Sequence, residues 1–155
     1  MSAERVTGSL GIAELVAFVR AHGDGVVSTL GPDGAPQAAY LPFAATDAGD
    51  LVFDARTASR KIANLARDSR VAVVIGGADG ASLQCEGTAV VTGGADRAAA
   101  ADAYAAAFPE FADSLQRADI AVVRIRLDWA RLGDYRTDPP RIAETRGVRT
   151  GPETG

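Results

Sequence analysis

The segment Asp-Ala-Arg-Thr-Ala-Ser-Arg-Lys, residues 54–61, decides the fold and the chemistry that this sequence predicts. It follows a strand-like run, Leu-Val-Phe at 51–53, and leads into a helix-like run at 62–66. Two hydroxyls and three cations converge at this junction: Thr57, Ser59, Arg56, Arg60 and Lys61. The first turn of a helix suits a phosphate because its backbone N–H groups are free and its dipole end is positive. The segment therefore predicts a phosphate-binding turn, or else a Ser/Thr helix cap followed by solvated basic residues.

The composition is that of one globular domain. The chain has 155 residues, of which 47% are hydrophobic and 23% charged, enough for a single core. Its net charge of −4 provides no global basic field to recruit nucleic acid or an anionic membrane. No apolar run reaches the roughly 18 residues of a membrane span, and the N-terminus lacks the apolar stretch of a signal peptide. We therefore expect a cytoplasmic protein with neither a nucleic-acid nor a membrane partner.

The inventory of reactive side chains excludes several classes of catalysis. His22 is the only histidine and Cys85 the only cysteine, so a His cluster, a Cys-rich metal site and an intramolecular disulfide are all excluded. The sequence contains no Gly-x-Ser-x-Gly elbow, no Walker loop and no strand-linked Gly-x-Gly-x-x-Gly. We therefore expect a protein without a metal site that either only binds a ligand or obtains its chemistry from a cofactor.

The apolar pattern changes period several times along the chain. It predicts helices at 11–22, 59–68, 95–108 and 110–116, strands at 26–30, 36–45, 51–55, 71–75, 82–92 and 120–127, and a further strand at 129–135. Gly-Pro-Asp-Gly at 31–34 joins the first two strands in a hairpin. Gly87, inside a strand, predicts a bend or bulge. Strands in hairpins with single helices between them favour a small antiparallel barrel, whose closure removes exposed edges.

The C-terminal part of the chain is poor in apolar residues. Residues 142–155 contain one isoleucine and one valine among Thr, Arg, Glu, Gly, Ala and Pro. Such a segment buries too little apolar surface to offset an ordering entropy of roughly 1–2 kcal/mol per residue. We therefore predict a single domain at 1–137 and an extended or disordered tail at 138–155. The alternative is a tail that crosses onto a partner subunit.

The order of motifs resembles that of a known flavoprotein family. An Asp-Gly-x-Pro turn at 33–36 precedes Leu-Val-Phe at 51–53, Ser-Arg-Lys at 59–61, Asn-Leu at 64–65, Arg-Val-Ala-Val at 70–73 and Glu-Gly-Thr-Ala at 86–89. Over roughly residues 12–136 the chain looks like the flavin-binding split-barrel family related to pyridoxamine 5′-phosphate oxidase. The resemblance implies a mainly β fold, a six-stranded antiparallel split β-barrel (Greek key) with flanking α-helices. It also implies a homodimer with two FMN sites at the subunit interface.

The resemblance assigns candidate cofactor-binding residues. Ser59, Arg60 and Lys61 match the residues that hold the flavin phosphate in the family. Ser82 and Gln84 point to one face of a strand, and either is a candidate for a hydrogen bond to the flavin ring. The remaining candidates are Asp54, Ala55 and Thr57 at the end of one strand, Tyr40, Leu41, Pro42 and Phe43 along another strand, and Trp129 later in the chain. Burial in the core, in an interface or at a barrel end is the alternative for the aromatic candidates.

The sequence departs from the true oxidase near its C-terminus. Family members that oxidise pyridoxamine phosphate carry an Arg-x-His pair there, whereas Arg-Leu-Gly-Asp-Tyr-Arg at 131–136 contains no histidine. That activity is not expected, and haem-degrading relatives rely on histidine-rich iron sites that are missing here.

The remaining possibilities are an oxidoreductase that uses FMN for hydride or electron transfer to a small organic substrate, a reductase dependent on the deazaflavin F420, and a flavin storage or sensing module. The last alternative is a barrel interaction protein in which residues 59–61 only cap a helix.

Overall fold

Nine strands and three α-helices make up most of residues 8–147, the part of the chain that the computed structural model describes. The strands are β1 (Gly8–Ser9), β2 (Asp24–Leu30), β3 (Pro36–Pro42), β4 (Ala44–Ala45), β5 (Leu51–Arg56), β6 (Arg70–Gly76), β7 (Ala81–Val91), β8 (Ile120–Asp134) and β9 (Arg141–Arg146). The helices are α1 (Ile12–His22), α2 (Arg60–Arg67) and α3 (Gly94–Ala107), followed by short 3-10 helices at Pro109–Phe111 and Ser114–Gln116. The fold is mainly β with flanking helices, as predicted.

The sheet closes because the strand predicted at 36–45 breaks at Phe43. Before the break β3 pairs with β2, and after it β4 pairs with β5. The Phe43 N–H donates to the Gly23 carbonyl at 3.0 Å and holds the corner. The antiparallel order β2-β6-β7-β8-β5 connects the two ends. The split barrel implied by the resemblance is therefore confirmed.

One long strand, β8, replaces the two strands predicted at 120–127 and 129–135. Its first half pairs with β5 and its second half with β9, while β7 occupies the other edge. A register shift between Glu86 and Gly87 marks a bulge in β7–β8 pairing. A Cβ on Gly87 would lie 2.2 Å from the Arg126 carbonyl oxygen, so only glycine fits. The structural role predicted for Gly87 is confirmed.

The barrel interior holds the main apolar core. Phe43 and Phe53 meet edge to face inside it, with ring centroids 5.8 Å apart, and α1 contributes the fully buried Leu15 and Val19. A second, smaller cluster around Tyr104 lies between α3 and the outside of β5. Since β5 lies between the two clusters, consecutive residues of its Leu-Val-Phe run are all buried. No helix within residues 8–147 combines the length and apolar character needed to cross a membrane.

The C-terminal segment differs from the prediction at residues 141–146. These residues form β9, which pairs antiparallel with β8 and parallel with β1. Ile142 and Ala143, expected in a segment that buries too little to be ordered, are 3% and 0% exposed. The prediction counted apolar residues, but backbone pairing on both edges and two well-placed apolar side chains are enough to hold this strand. The sheet thus extends beyond the boundary predicted at 137, and residues 148–155 lie outside the described range.

We expect Ile142→Ala to destabilise the fold by about 2–5 kcal/mol, because the change empties a buried position in β9. Arg146→Ala is the matched control: it lies in the same strand, is exposed, and among residues 8–147 pairs only with Glu144, so the change should cost under about 1 kcal/mol. Chemical denaturation of the two variants measures both values. Equal unfolding free energies would mean that β9 does not contribute to the folded domain.

Candidate functional site

A cleft of about 310 Å³ opens between the start of α2 and the β2–β3 hairpin. We call it the α2 cleft; its lining residues are Val27, Thr29, Gln37, Ala38, Ala39, Arg60 and Lys61. The volume lies in the range of roughly 300–1,000 Å³ that small-molecule sites occupy. The lining carries two cations and no carboxylate, although the chain as a whole has a net charge of −4. The cleft therefore favours an anionic ligand.

Ser59 stands at the N-cap of α2 but does not cap the helix. Its backbone is extended, with φ −72° and ψ 154°, yet its side chain makes no capping hydrogen bond. The Ser59 Oγ is buried and has no hydrogen-bond partner among residues 8–147. Buried hydroxyls are nearly always paired, since an unpaired one costs roughly 1–3 kcal/mol. The unpaired Ser59 hydroxyl thus immediately precedes Arg60 and Lys61, which line the cleft, and the interpretation of Ser59 as an ordinary cap is not supported.

A buried polar network that was not predicted from the sequence joins α2 to the hairpin. Asn64 Nδ2 donates to Thr29 Oγ1 and to Gln37 Oε1, at 2.9 Å each. Arg60 Nε donates to the same Gln37 oxygen at 3.1 Å. Asn64 and Thr29 are each only 2% exposed. The one available signal was an asparagine inside an otherwise apolar helix face at 62–65, a position where burial requires partners.

The end of β5 directs its side chains away from the cleft. The Tyr104 hydroxyl donates to Asp54 Oδ1 at 3.2 Å, so this carboxylate faces α3. Ala55 lies on the opposite side of the strand, in the barrel core. Thr57 is exposed, and its backbone N–H donates to the Asp119 carbonyl at 2.9 Å. None of the three lines the α2 cleft.

The candidates at 40–43 divide between surface and core. Tyr40 is 68% exposed, and a hydrogen bond to Asp24 raises the pKa of its hydroxyl. Leu41 and Pro42 are half-buried, and Leu41 packs against the core. Phe43 is fully buried at the barrel corner. Core burial, the alternative interpretation, therefore applies to the Phe43 side chain.

Gln84 and Trp129 line a second depression, on the outside of the barrel. This outer groove, of about 190 Å³, is lined by Val26, Ser28, Ala72, Val73, Val74, Gln84, Cys85, Glu86 and Trp129. Trp129 Nε1 donates to Glu144 Oε1 at 2.9 Å, which fixes the indole. Ser82 is half-buried two residues before Gln84. Because side chains alternate along β2, Val26 and Ser28 lie on the opposite face from Val27 and Thr29. One chain therefore does not bring Gln84 or Trp129 to the α2 cleft.

The nucleophilic and metal-binding side chains are engaged elsewhere. His22 Nδ1 lies 3.0 Å from the Phe18 carbonyl and Nε2 lies 3.1 Å from Asp79 Oδ2. Burial raises the pKa of the Cys85 thiol to about 12, so this cysteine stays protonated. Within residues 8–147 no group of three metal-ligating side chains is found. The lining of the α2 cleft therefore consists of cations, hydrogen-bonding groups and apolar side chains.

The family model described as pyridoxamine 5′-phosphate oxidase matches residues 12–133. The chain belongs to this family. The matched range contains both walls of the α2 cleft and all of the outer groove. No curated protein matches the chain.

Several solved structures share the fold. A haem-binding protein from Mycobacterium smegmatis superposes with a TM-score of 0.73 at 23% identity; the match covers 88% of this chain and 58% of that one, so this chain spans under two thirds of its length. A conserved hypothetical protein from Mycobacterium tuberculosis gives 0.72 at 22% identity over 99% of this chain and 100% of that one. The haem storage protein HutZ from Vibrio cholerae gives 0.63 at 17%, covering 80% and 91%. At these identities the similarity shows the fold alone.

We expect the buried Tyr104–Asp54 contact to appear as a loss of stability in alkali. Burial and the Asp54 charge raise the Tyr104 pKa above its ordinary value, which is about 10. Above about pH 10 the Tyr104 phenol releases its proton in the unfolded chain but keeps it in the folded chain, so the free energy of unfolding falls as the pH rises. Below about pH 10 the phenol is protonated in both the folded and the unfolded chain, and its contribution to stability is fully present.

Tyr104→Phe should flatten the alkaline decline in unfolding free energy, measured by denaturation from pH 8 to 11. Val90→Ala, at an exposed position that carries no titratable group, is the control and should leave the decline unchanged. An unchanged decline in Tyr104→Phe would show that this phenol does not titrate from a buried position.

Proposed function

We propose that the chain binds FMN in the α2 cleft, with the phosphate held by Ser59, Arg60 and Lys61. The observation that carries the proposal is the unpaired, buried Ser59 Oγ immediately before two cations at a helix N-terminus. Hydroxyl, guanidinium and ammonium groups beside free backbone N–H groups are the donors that a phosphate dianion takes up. Family membership supports the same ligand class. The residues present therefore fit the phosphate end of a flavin mononucleotide.

We further propose a cytoplasmic oxidoreductase acting on a small organic substrate. FMN, when bound, supplies hydride or electron transfer, while the chain binds the phosphate, orients the ring and excludes water. The cleft lining contains amides, cations and apolar groups but no carboxylate or histidine. No general acid or base of this chain is assigned.

A homodimer would complete the proposed site. Gln84 and Trp129, expected at the flavin ring, lie on the outer face of the sheet and not in the cleft of their own chain. That face carries two cross-strand rows, Tyr40–Val26–Val74–Gln84 and Ala38–Ser28–Ala72–Glu86–Trp129. Tyr40 and Val74 are exposed, and the second row is mostly small. Two such faces packed together would bring Gln84 and Trp129 of one copy towards the cleft of the other.

A second candidate is flavin storage without turnover, or use of the deazaflavin F420 in place of FMN. The absence of a carboxylate or histidine from the cleft lining favours storage, and the same phosphate cradle suits either cofactor. Haem binding, named for two of the neighbours, is not proposed because the only histidine is bonded to Phe18 and Asp79. A visible spectrum and mass spectrometry of the released cofactor identify the ligand. Oxidation of a nicotinamide donor separates turnover from storage.

Arg60→Ala and Lys61→Ala should each weaken FMN binding about tenfold or more, because hydrogen bonds to charged groups contribute roughly 1.5–3 kcal/mol. Fluorescence titration measures the loss. Riboflavin, which has no phosphate, should bind all variants equally. Arg70→Ala is the control, since Arg70 lies on β6 and pairs with Asp68 away from the cleft. Unchanged FMN affinity in both cleft variants would show that the phosphate binds elsewhere.

The dimer should depend on the outer face. Val74→Glu introduces a charge in the middle of this face and should yield a monomer in sedimentation at micromolar concentration, with weaker flavin binding, because the second copy supplies ring contacts. Ala98→Glu, on the exposed surface of α3, should leave the dimer intact. A stable monomer for the unaltered chain would rule out the dimer.

A further inference from the structure

The Gln37 side chain is the point at which the polar network meets the α2 cleft. Gln37 lies on β3 directly opposite Thr29 on β2, so two paired strands hold its backbone. Its Oε1 receives two hydrogen bonds, from Arg60 Nε at 3.1 Å and from Asn64 Nδ2 at 2.9 Å. The same residue lines the cleft between the hairpin and α2. One amide oxygen therefore links the rigid sheet to a cation at the mouth of the cleft.

The two donors also fix which way the Gln37 amide is turned. Both incoming N–H groups require an acceptor, so the oxygen faces Arg60 and Asn64 and the Nε2 group points the other way. On that side, a Cβ added to Gly31 would lie 2.9 Å from Nε2, so the hairpin turn leaves just enough room for the amide. The reversed amide would set Nε2 against two donors, which is unfavourable.

Asn64 makes this arrangement stable. It is almost completely buried, and its Nδ2 group donates to both Thr29 and Gln37 while its Oδ1 accepts a hydrogen bond from Arg67. A buried polar network is rigid when each member is paired, as this one is. The position of the Gln37 oxygen is therefore set by the interior of the protein and not by the cleft.

The fixed Gln37 oxygen orders the Arg60 side chain. An exposed arginine normally samples many rotamers, and ordering it costs binding free energy. Here the bond from Nε to Gln37 orders the side chain in advance, and among residues 8–147 its two terminal nitrogens have no hydrogen-bond acceptor. Those nitrogens form the planar fork that matches two oxygens of a phosphate.

We infer that Gln37 is a positioning residue, which holds the Arg60 guanidinium with its terminal fork free for the phosphate of the cofactor. This inference rests on the proposed function, since it assigns how the same site recognises its anion. Gln37 acts through Arg60 and not by touching the flavin. Its contribution is therefore limited to ligands that carry the phosphate, and it vanishes when Arg60 is absent.

The test is a double-mutant cycle between Gln37→Met and Arg60→Ala, with FMN and riboflavin as ligands. Methionine matches glutamine in length but offers no acceptor for Arg60. We expect Gln37→Met to weaken FMN binding about threefold to tenfold, the loss typical of one hydrogen bond, and to leave riboflavin binding unchanged. In the Arg60→Ala background the same change should have no further effect on FMN. Gln37→Glu should weaken FMN binding more than Gln37→Met, because a carboxylate would occupy the arginine fork.

Equal losses for FMN and riboflavin, or additive losses in the double variant, would overturn the positioning role and leave Gln37 with a general structural one. Thermal unfolding of each variant shows whether the fold is retained. If the unaltered chain binds no FMN, the proposed function fails; inorganic phosphate then serves as the probe, followed through the backbone amide signals of residues 59–61. A phosphate affinity that falls in Gln37→Met but not further in the double variant would uphold the positioning role alone. No phosphate response, or an additive one, would overturn it.

Discussion

Closure of the sheet at Phe43 is the constraint on which the rest of the molecule depends. The chain pairs with β2 before Phe43 and with β5 after it, because its direction changes at this residue. There the backbone N–H donates to the Gly23 carbonyl and the ring lies in the core. The hairpin β2–β3 is thereby held on one side and β4–β5 on the other. The chain leaving β5 must then return across the open side of the hairpin. That return is α2, and it carries Ser59, Arg60 and Lys61 to Thr29 and Gln37.

The surface arginines and Arg60 differ in the partners that hold them. Several arginines on the surface are paired with an aspartate two residues away, as in Arg70–Asp68, Arg117–Asp119 and Arg136–Asp134. Hydrogen bonds from the arginines hold the pKa of Asp68 and of Asp134 at about 2, so these carboxylates stay ionised and do not serve as acids. Such exposed pairs contribute little to stability. Their effect is to neutralise cations locally, whereas Arg60 is held by a neutral amide and keeps its charge at the cleft.

The two groups of candidate residues lie on opposite faces of one sheet, and this geometry links assembly to function. The α2 cleft belongs to the side of β2 that carries Val27 and Thr29, and the outer groove belongs to the side that carries Val26 and Ser28. Because side chains alternate along a strand, the two groups face opposite sides of the sheet within one chain. In the proposed dimer each copy would hold a phosphate and offer Gln84 and Trp129 to the other. In that dimer the separation of the two groups within one chain would follow from the sheet geometry, and the second copy would complete the site.

The sequence by itself determined most of the helices and strands of the barrel and the junction of β5 and α2 at which Ser59, Arg60 and Lys61 lie. Periodicity and turn residues predicted α1, the hairpin, α2 and α3 to within a few residues, because those signals are local, and the order of motifs indicated the family. Tertiary structure decided the rest. Residues 141–146 form a strand since β1 and β8 pair with both its edges, which no count of apolar residues reveals. The network of Thr29, Gln37 and Asn64 joins positions up to 35 residues apart, and the side on which Asp54, Phe43 and Trp129 lie depends on which clusters flank their strands. Contacts between residues distant in sequence exist only once the barrel has closed.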